Sequence, residues 1–107
     1  MALLATLTLT ANGRESLRLY NHPTGQANRV SYIASGTFDS GTVSVQLSPD
    51  AGSTWVDNID NGSPVAFTAA DARAIEANSD SNAPVVLGFN LTGATSPSIT
   101  IKVYDNR

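Results

Sequence analysis

The chain has 107 residues, of which 41% are hydrophobic and 14% are charged, and its formal net charge is −3. This length predicts a single β domain spanning residues 1–107, and the acidic balance argues against general binding to nucleic acid. The sequence contains no cysteine, which excludes disulfides, a thiolate nucleophile and cysteine–zinc sites. The charged fraction lies well below the roughly 25% of ordinary globular domains, so small polar residues must cover much of the surface.

The first third of the chain predicts three strands. Leucine alternates with threonine over Thr6–Thr10, and apolar residues alternate again over Ser16–Tyr20. Between these two runs, Asn12-Gly13 is a strong local signal for a β-hairpin. After a loop without periodic pattern, Arg29–Ser35 predicts the third strand.

The middle of the chain predicts a second hairpin. The run Thr42–Ser48 alternates Val and Leu with polar residues, as a half-buried strand does. Pro49 then fixes φ, Asp50 can bond its own backbone, and Gly52 accepts a positive φ. Trp55 opens a return strand, so an indole is expected beside the turn.

The remainder predicts one helix and three strands. A short strand is expected at Val65–Phe67. Thr68 followed by Asp71 matches a capping box and predicts a short helix over Ala69–Ala77. The last two strands are predicted at Val85–Leu91 and Ser98–Asp105, and apolar residues alternate with polar ones in the second of them.

About eight short strands with turn residues between them predict an all-β fold, a small antiparallel β-sandwich or a jelly-roll-like barrel, with one short helix. Strand order is not readable from the pattern, so both architectures stay open. The chain has three Phe, three Tyr and one Trp. Four of these aromatic residues are expected in the core: Phe38, Trp55, Phe67 and Phe89. Whether the tyrosines lie in the core or at the surface stays open.

No constellation of residues predicts catalysis, so the chain is not expected to be an enzyme or to hold a cofactor or a metal. Asp57 and Asp60 fail the EF-hand template, because Ile59 and Thr68 stand where ligands are required. The one histidine, His22, lies in the loop after the second strand, and no nucleophile-elbow motif accompanies it.

The stretch Ser48–Trp55 resembles the Asp box, Ser-x-Asp-x-Gly-x-Thr-Trp, which repeats in sialidase-type β-propellers and occurs in other secreted and viral β proteins. The resemblance implies that Ser48, Asp50, Gly52 and Trp55 form a structural turn away from any catalytic centre. A propeller needs several blades, and one copy in a chain of this length excludes it.

A wider stretch, residues 36–55, resembles small virion structural proteins of tailed bacteriophages. The resemblance rests on the Gly36-Thr37-Phe38 start, the alternating strand up to Leu47 and the Asp-containing turn before Trp55. Residues 91–99 are similar to the last hairpin of those proteins. The spacing Asp-Ala-Gly at 50–52 departs from their commoner Asp-Gly, which alters the turn geometry.

This second resemblance implies a non-enzymatic phage structural protein, a capsid decoration or cement protein that binds and stabilises the assembled head shell. Its expected partners are the major capsid protein lattice and two further copies of itself in a homotrimer, with no nucleic acid and no membrane. It would be synthesised in the host cytoplasm and reside on the capsid surface of the virion. An alternative is a tail-associated or host-glycan-binding β module.

Shell or subunit contacts are expected at the first hairpin and the loop after it. The predicted partner-binding side chains are Arg14, Arg18, Tyr20 and Arg29, with the arginines facing an acidic partner surface.

Overall fold

The computed structural model describes residues 3–19, 28–48, 52–60, 62–77 and 85–105. These residues form eleven β-strands and no helix. The strands are β1 (Leu3–Leu9), β2 (Gly13–Leu19), β3 (Asn28–Thr37), β4 (Thr42–Ser48), β5 (Val56–Asp57), β6 (Ile59–Asp60), β7 (Ser63–Pro64), β8 (Ala66–Phe67), β9 (Asp71–Ala77), β10 (Val85–Thr92) and β11 (Ser98–Asp105).

The long strands form two antiparallel sheets. Sheet A has the order β1-β11-β3-β9, and sheet B has the order β2-β10-β4-β5, with β8 also paired to β4. Strands that follow one another in the chain, such as β1 and β2, β3 and β4, or β10 and β11, therefore lie in opposite sheets. This interleaving of two antiparallel sheets is a jelly-roll-like arrangement, so the all-β prediction is confirmed.

The core lies between the sheets and follows from the period of two in each strand. On β11, Ile99, Ile101 and Val103 are fully buried. Leu87 and Phe89 on β10 are fully buried as well, and they contribute to the same cluster from sheet B.

Aromatic rings join the two sides of this core. The ring of Tyr32 on β3 stacks on Phe67 with 5.3 Å between centroids and meets Phe89 edge-on at 5.6 Å. Phe38 packs edge-on against Phe67 at 5.9 Å. The three phenylalanines were expected here and are confirmed. Trp55 was also expected here, and that prediction is wrong because its side chain lies outside the core cluster.

The predicted helix over Ala69–Ala77 is wrong, because these residues include strand β9. The strand pairs with β3 over seven residue pairs, and Ile75 reaches the core. Asp71 accepts a hydrogen bond from the buried Tyr32 hydroxyl at 2.7 Å instead of capping a helix. A ladder with a neighbouring strand outweighs a capping signal, which is worth about 1 kcal/mol.

The predicted hairpin at Asn12-Gly13 is also wrong. β1 pairs with β11 in sheet A, whereas β2 pairs with β10 in sheet B. The connection crosses between the sheets, and the Asn12 amide pairs with the backbone of Ala94: Nδ2 donates to the carbonyl oxygen and Oδ1 accepts from the N–H, both at 2.9 Å. Residues 91–99 cross between the sheets in the same way and do not form a hairpin.

A second side chain ties the connections at this end of the molecule. Asp39 and Ser40 adopt positive φ values of 48° and 69° in the connection between β3 and β4. Asp39 Oδ2 accepts a hydrogen bond from the Ser96 N–H at 2.7 Å, and its carbonyl oxygen accepts one from the Thr95 N–H at 3.2 Å. Three crossings between the sheets are therefore held together by Asn12 and Asp39.

Candidate partner-binding surface

The outer face of sheet B is covered in part by the indole of Trp55. Gly88 lies on this face, because its neighbours Leu87 and Phe89 point into the core. A Cβ at Gly88 would lie 2.6 Å from Trp55 Cζ3 and 3.0 Å from Arg14 Cδ. The missing side chain of Gly88 is thus what lets the indole and the Arg14 stem lie against the sheet.

A chain of side-chain contacts continues from the indole across the sheet. The Arg14 guanidinium carbon lies 4.3 Å from the Trp55 ring centroid. Arg14 Nε and Nη2 both donate to Gln46 Oε1, at 3.0 and 2.9 Å, and Gln46 Nε2 donates to Asp57 Oδ1 at 3.3 Å. We call Arg14, Gln46, Trp55 and Asp57 the Trp55 patch.

These contacts are exposed, so each contributes little to stability, with a surface cation–π pair worth about 0.5–1 kcal/mol. Their main effect is to hold the side chains of the patch in place. Long polar side chains on three strands are held in one arrangement before any partner arrives, which reduces the entropy that binding must remove.

The β4–β5 turn brings Trp55 to this face. Gln46 pairs with Asp57 and Leu47 with Val56, so the chain returns beside β4. Fully buried Ser48 accepts a hydrogen bond at its Oγ from the Gly52 N–H at 2.7 Å. Gly52 has a φ of 101°, in the region that favours glycine. Asp50, the remaining residue of the Asp-box pattern, lies outside the described residues.

The predicted partner-binding residues divide between the sheets. Arg14 and Arg18 are exposed and lie four residues apart on β2, so they share the outer face of sheet B. Arg29 belongs to β3 in sheet A. Tyr20 and the side chain of Arg29 lie outside the part of the chain that the structure describes, so only Arg14 and Arg18 are placed together.

Two exposed aliphatic residues of this region lie off the patch. Val56 is 51% exposed and lies opposite Leu47, on the other side of sheet B from Gln46 and Asp57, and Ile59 on β6 is 57% exposed. The patch itself offers tryptophan and arginine, the residues that protein–protein interfaces favour.

Two further findings concern chemistry. No group of three or more His, Cys, Asp or Glu within the described ranges is arranged to hold a metal ion. Those ranges also contain no helix long and apolar enough to cross a membrane. His22 lies outside the described residues.

No family model and no curated protein matches the chain. Among solved structures, it is similar to a de novo designed double-stranded β-helix determined by NMR in solution, with a TM-score of 0.50 and 9% sequence identity. The match covers 95% of this chain and 96% of the designed one. At this identity the likeness concerns the fold alone.

Two members of this surface were missed from the sequence. Gly88 interrupts an apolar run at residues 85–89 of β10, and an isolated glycine in a strand is a signal for close approach of another group. Gln46 gives no such signal, because an outward-facing polar residue is what alternation predicts at any half-buried strand position.

Proposed function

We propose that this chain is a non-enzymatic structural protein of a tailed-bacteriophage virion. It acts as a decoration or cement protein on the capsid surface, where it binds the major capsid protein lattice. A protein that binds only the assembled shell stabilises that shell by mass action. The resemblance of residues 36–55 to phage virion proteins supports this role.

The observation that carries the proposal is the Trp55 patch, with Arg18 on the same face of sheet B. The chain as a whole is acidic, with a net charge of −3. The outward positions of sheet B nevertheless place Arg14 and Arg18 on one face, with Asp57 as their acidic counterpart among the described residues. A cationic, aromatic and pre-ordered face suits an acidic protein surface, and its charges would steer the encounter.

The test is co-sedimentation of the full chain with expanded phage capsids that lack their decoration protein. The wild-type chain should bind saturably. Arg18→Glu reverses one charge on the proposed face and should weaken binding by about tenfold or more. Lys102→Glu is the matched control, because Lys102 is an exposed cation on the outer face of sheet A; its binding should stay close to wild type.

Absence of saturable wild-type binding would contradict the decoration role. If Arg18→Glu and Lys102→Glu weakened capsid binding equally, the decoration role would still stand. The assignment of the binding face to sheet B would be contradicted.

A host-glycan-binding module is the second candidate, and the indole beside Gln46 and Asp57 favours it. Sugars pack on aromatic rings and bond to amide and carboxylate groups, so this set is chemically suitable. The ring of Trp55 already carries the Arg14 guanidinium, however. Trp55 is the one tryptophan of the chain, so its fluorescence reports on the patch directly. A saturable change on titration with sugars from a glycan array would favour this candidate over the shell.

A further inference from the structure

We propose that the free edge of β1 pairs antiparallel with the β1 edge of a second copy, which joins two A sheets into one continuous sheet. Among the strands that the structure describes, β1 lies at the end of sheet A, with β11 as its paired neighbour. Its seven residues, Leu3–Leu9, are leucine, threonine and alanine, and none is charged. An uncharged edge strand of this length presents open backbone N–H and C=O groups for pairing. The inference does not depend on the proposed function.

The other edges carry charges or interruptions that oppose such pairing, whereas β1 has one register shift, between Leu3 and Ala5, and pairs regularly with β11 over residues 5–9. Glu15 on the edge strand β2 lies opposite Phe89, so it stands on the core-facing side of sheet B. On β9, Asp71 and Arg73 lie opposite Ala34 and Tyr32, again on the core-facing side. Inward-pointing charges at an edge oppose the addition of another strand.

The remaining edge of sheet B is interrupted. It consists of β5 and β8, which have two residues each. Very short edge strands offer too few backbone groups for stable pairing. Of the described edges, β1 therefore combines length with freedom from charge.

The sequence of β1 matches a second copy of itself. With a two-fold axis at Thr6, Thr6 faces Thr6 of the second copy, and Ala5 faces Leu7 of the second copy. Ala5 and Leu7 lie opposite Val103 and Ile101, so both are core-facing, and both are only half-buried at the edge. Pairing would bury them further, and facing threonines form favourable cross-strand pairs.

A two-fold contact is favoured over a ring closed by head-to-tail contacts. A ring built from sheet A, such as the homotrimer expected from the phage resemblance, would pair β1 with β9 of the next copy. That contact would take Asp71 and Arg73 out of water against a strand that carries no charge, and removing charges from water is costly. The self-pairing of β1 meets no such cost.

The contact should be weak, because one strand pair falls short of the roughly 1,000 Å² that stable interfaces bury. The mass of the full chain should therefore be measured by sedimentation equilibrium from about 10 µM to about 1 mM, the range in which weak association is seen. The expected result is a rise from the monomer mass towards twice that mass.

Charge-swapped variants test the register. Thr6→Glu places a carboxylate beside Lys102 of the same copy, its cross-strand neighbour, and opposite the same carboxylate of the second copy. It should weaken self-association by about tenfold or more, and Thr6→Lys should do the same. An equimolar mixture of the two variants should regain association as a mixed dimer. Ser35→Glu is the control, because Ser35 is exposed on the interior strand β3; it should associate as the wild type does.

An unfolding curve should be recorded for each variant, to check that a loss of association does not come from a loss of folding. A chain that stays monomeric up to about 1 mM, a trimer mass, or mixed variants that fail to associate would each overturn the proposal.

Discussion

The outer faces of the two sheets differ in the side chains that lie on them. On sheet A the outward positions of the central strands hold mostly small or short polar residues, together with Ile33, Lys102 and the half-buried Tyr104, and Ile33 is 50% exposed. On sheet B, Trp55 lies over Gly88, and Arg14, Gln46 and Asp57 form a connected set. Within the described residues, the outer face of sheet A leaves Ile33 exposed, whereas the outer face of sheet B is covered in part by Trp55.

This difference shows what a covered face requires. The same alternation of apolar and polar residues builds both sheets, so alternation does not decide which outer face is covered. Sheet B needs a residue without a side chain at the centre of β10 and an aromatic residue delivered by a turn. Three predictions test how firmly each sheet depends on its particular glycine and side chains.

The largest effect is expected in sheet A for Gly36→Ala. Gly36 has a φ of 119°, and a Cβ there would collide with the backbone oxygen of Ser98 on the paired strand β11. Because backbone must move, we expect a loss of about 3 kcal/mol in the free energy of unfolding. Denaturant unfolding measures it, with Ser35→Ala on the same strand as a control that should stay within about 0.5 kcal/mol of wild type. A loss no larger than that of the control would contradict this account.

A smaller effect, which depends on the presence of the Trp55 side chain, is expected in sheet B for Gly88→Ala. Here the new methyl meets the side chains of Trp55 and Arg14, which can move, so the expected loss is about 1–2 kcal/mol with a change in tryptophan fluorescence. In a Trp55→Ala background the same change should be neutral or should stabilise by about 0.5 kcal/mol, because alanine restricts the unfolded chain more than glycine does. Additive losses in this double-mutant cycle would show that Gly88 does not act by accommodating the indole.

The smallest effect is expected for Arg14→Lys. Lysine keeps the charge but loses the planar group that stacks on Trp55 and donates twice to Gln46. We expect a loss of about 0.5–1 kcal/mol in the free energy of unfolding and a shift in Trp55 emission. Arg18→Lys, on the same strand and face, is the matched variant and should leave that emission unchanged. An unaltered spectrum for Arg14→Lys would argue against the stacked arrangement in solution.

Much of the strand pattern could be read from the sequence. The strands at Thr42–Ser48 and Ser98–Asp105 were predicted to the residue, because each alternates residues that one side of a sheet buries with residues that the other side exposes. The phenylalanines were placed in the core on composition, because a chain with few aromatic residues is expected to bury its large apolar rings. The β4–β5 hairpin followed from the turn residues between its strands.

The errors share one cause. Asn12-Gly13 and the Thr68–Asp71 pair are local signals, and each was overruled by a partner distant in the chain: Ala94 for the first and strand β3 for the second. The Trp55 patch escaped prediction in the same way, since Arg14 and Gln46 are separated by 32 positions.

The sequence by itself determined that this chain is made of strands, where most of them lie and which of their faces is apolar, because those properties depend on neighbours along the chain. The tertiary structure alone decided which strand pairs with which, that the first connection crosses between sheets and that Trp55 covers an outer face. Those outcomes depend on hydrogen bonds and space shared by residues far apart in sequence, and local periodicity carries no information about either.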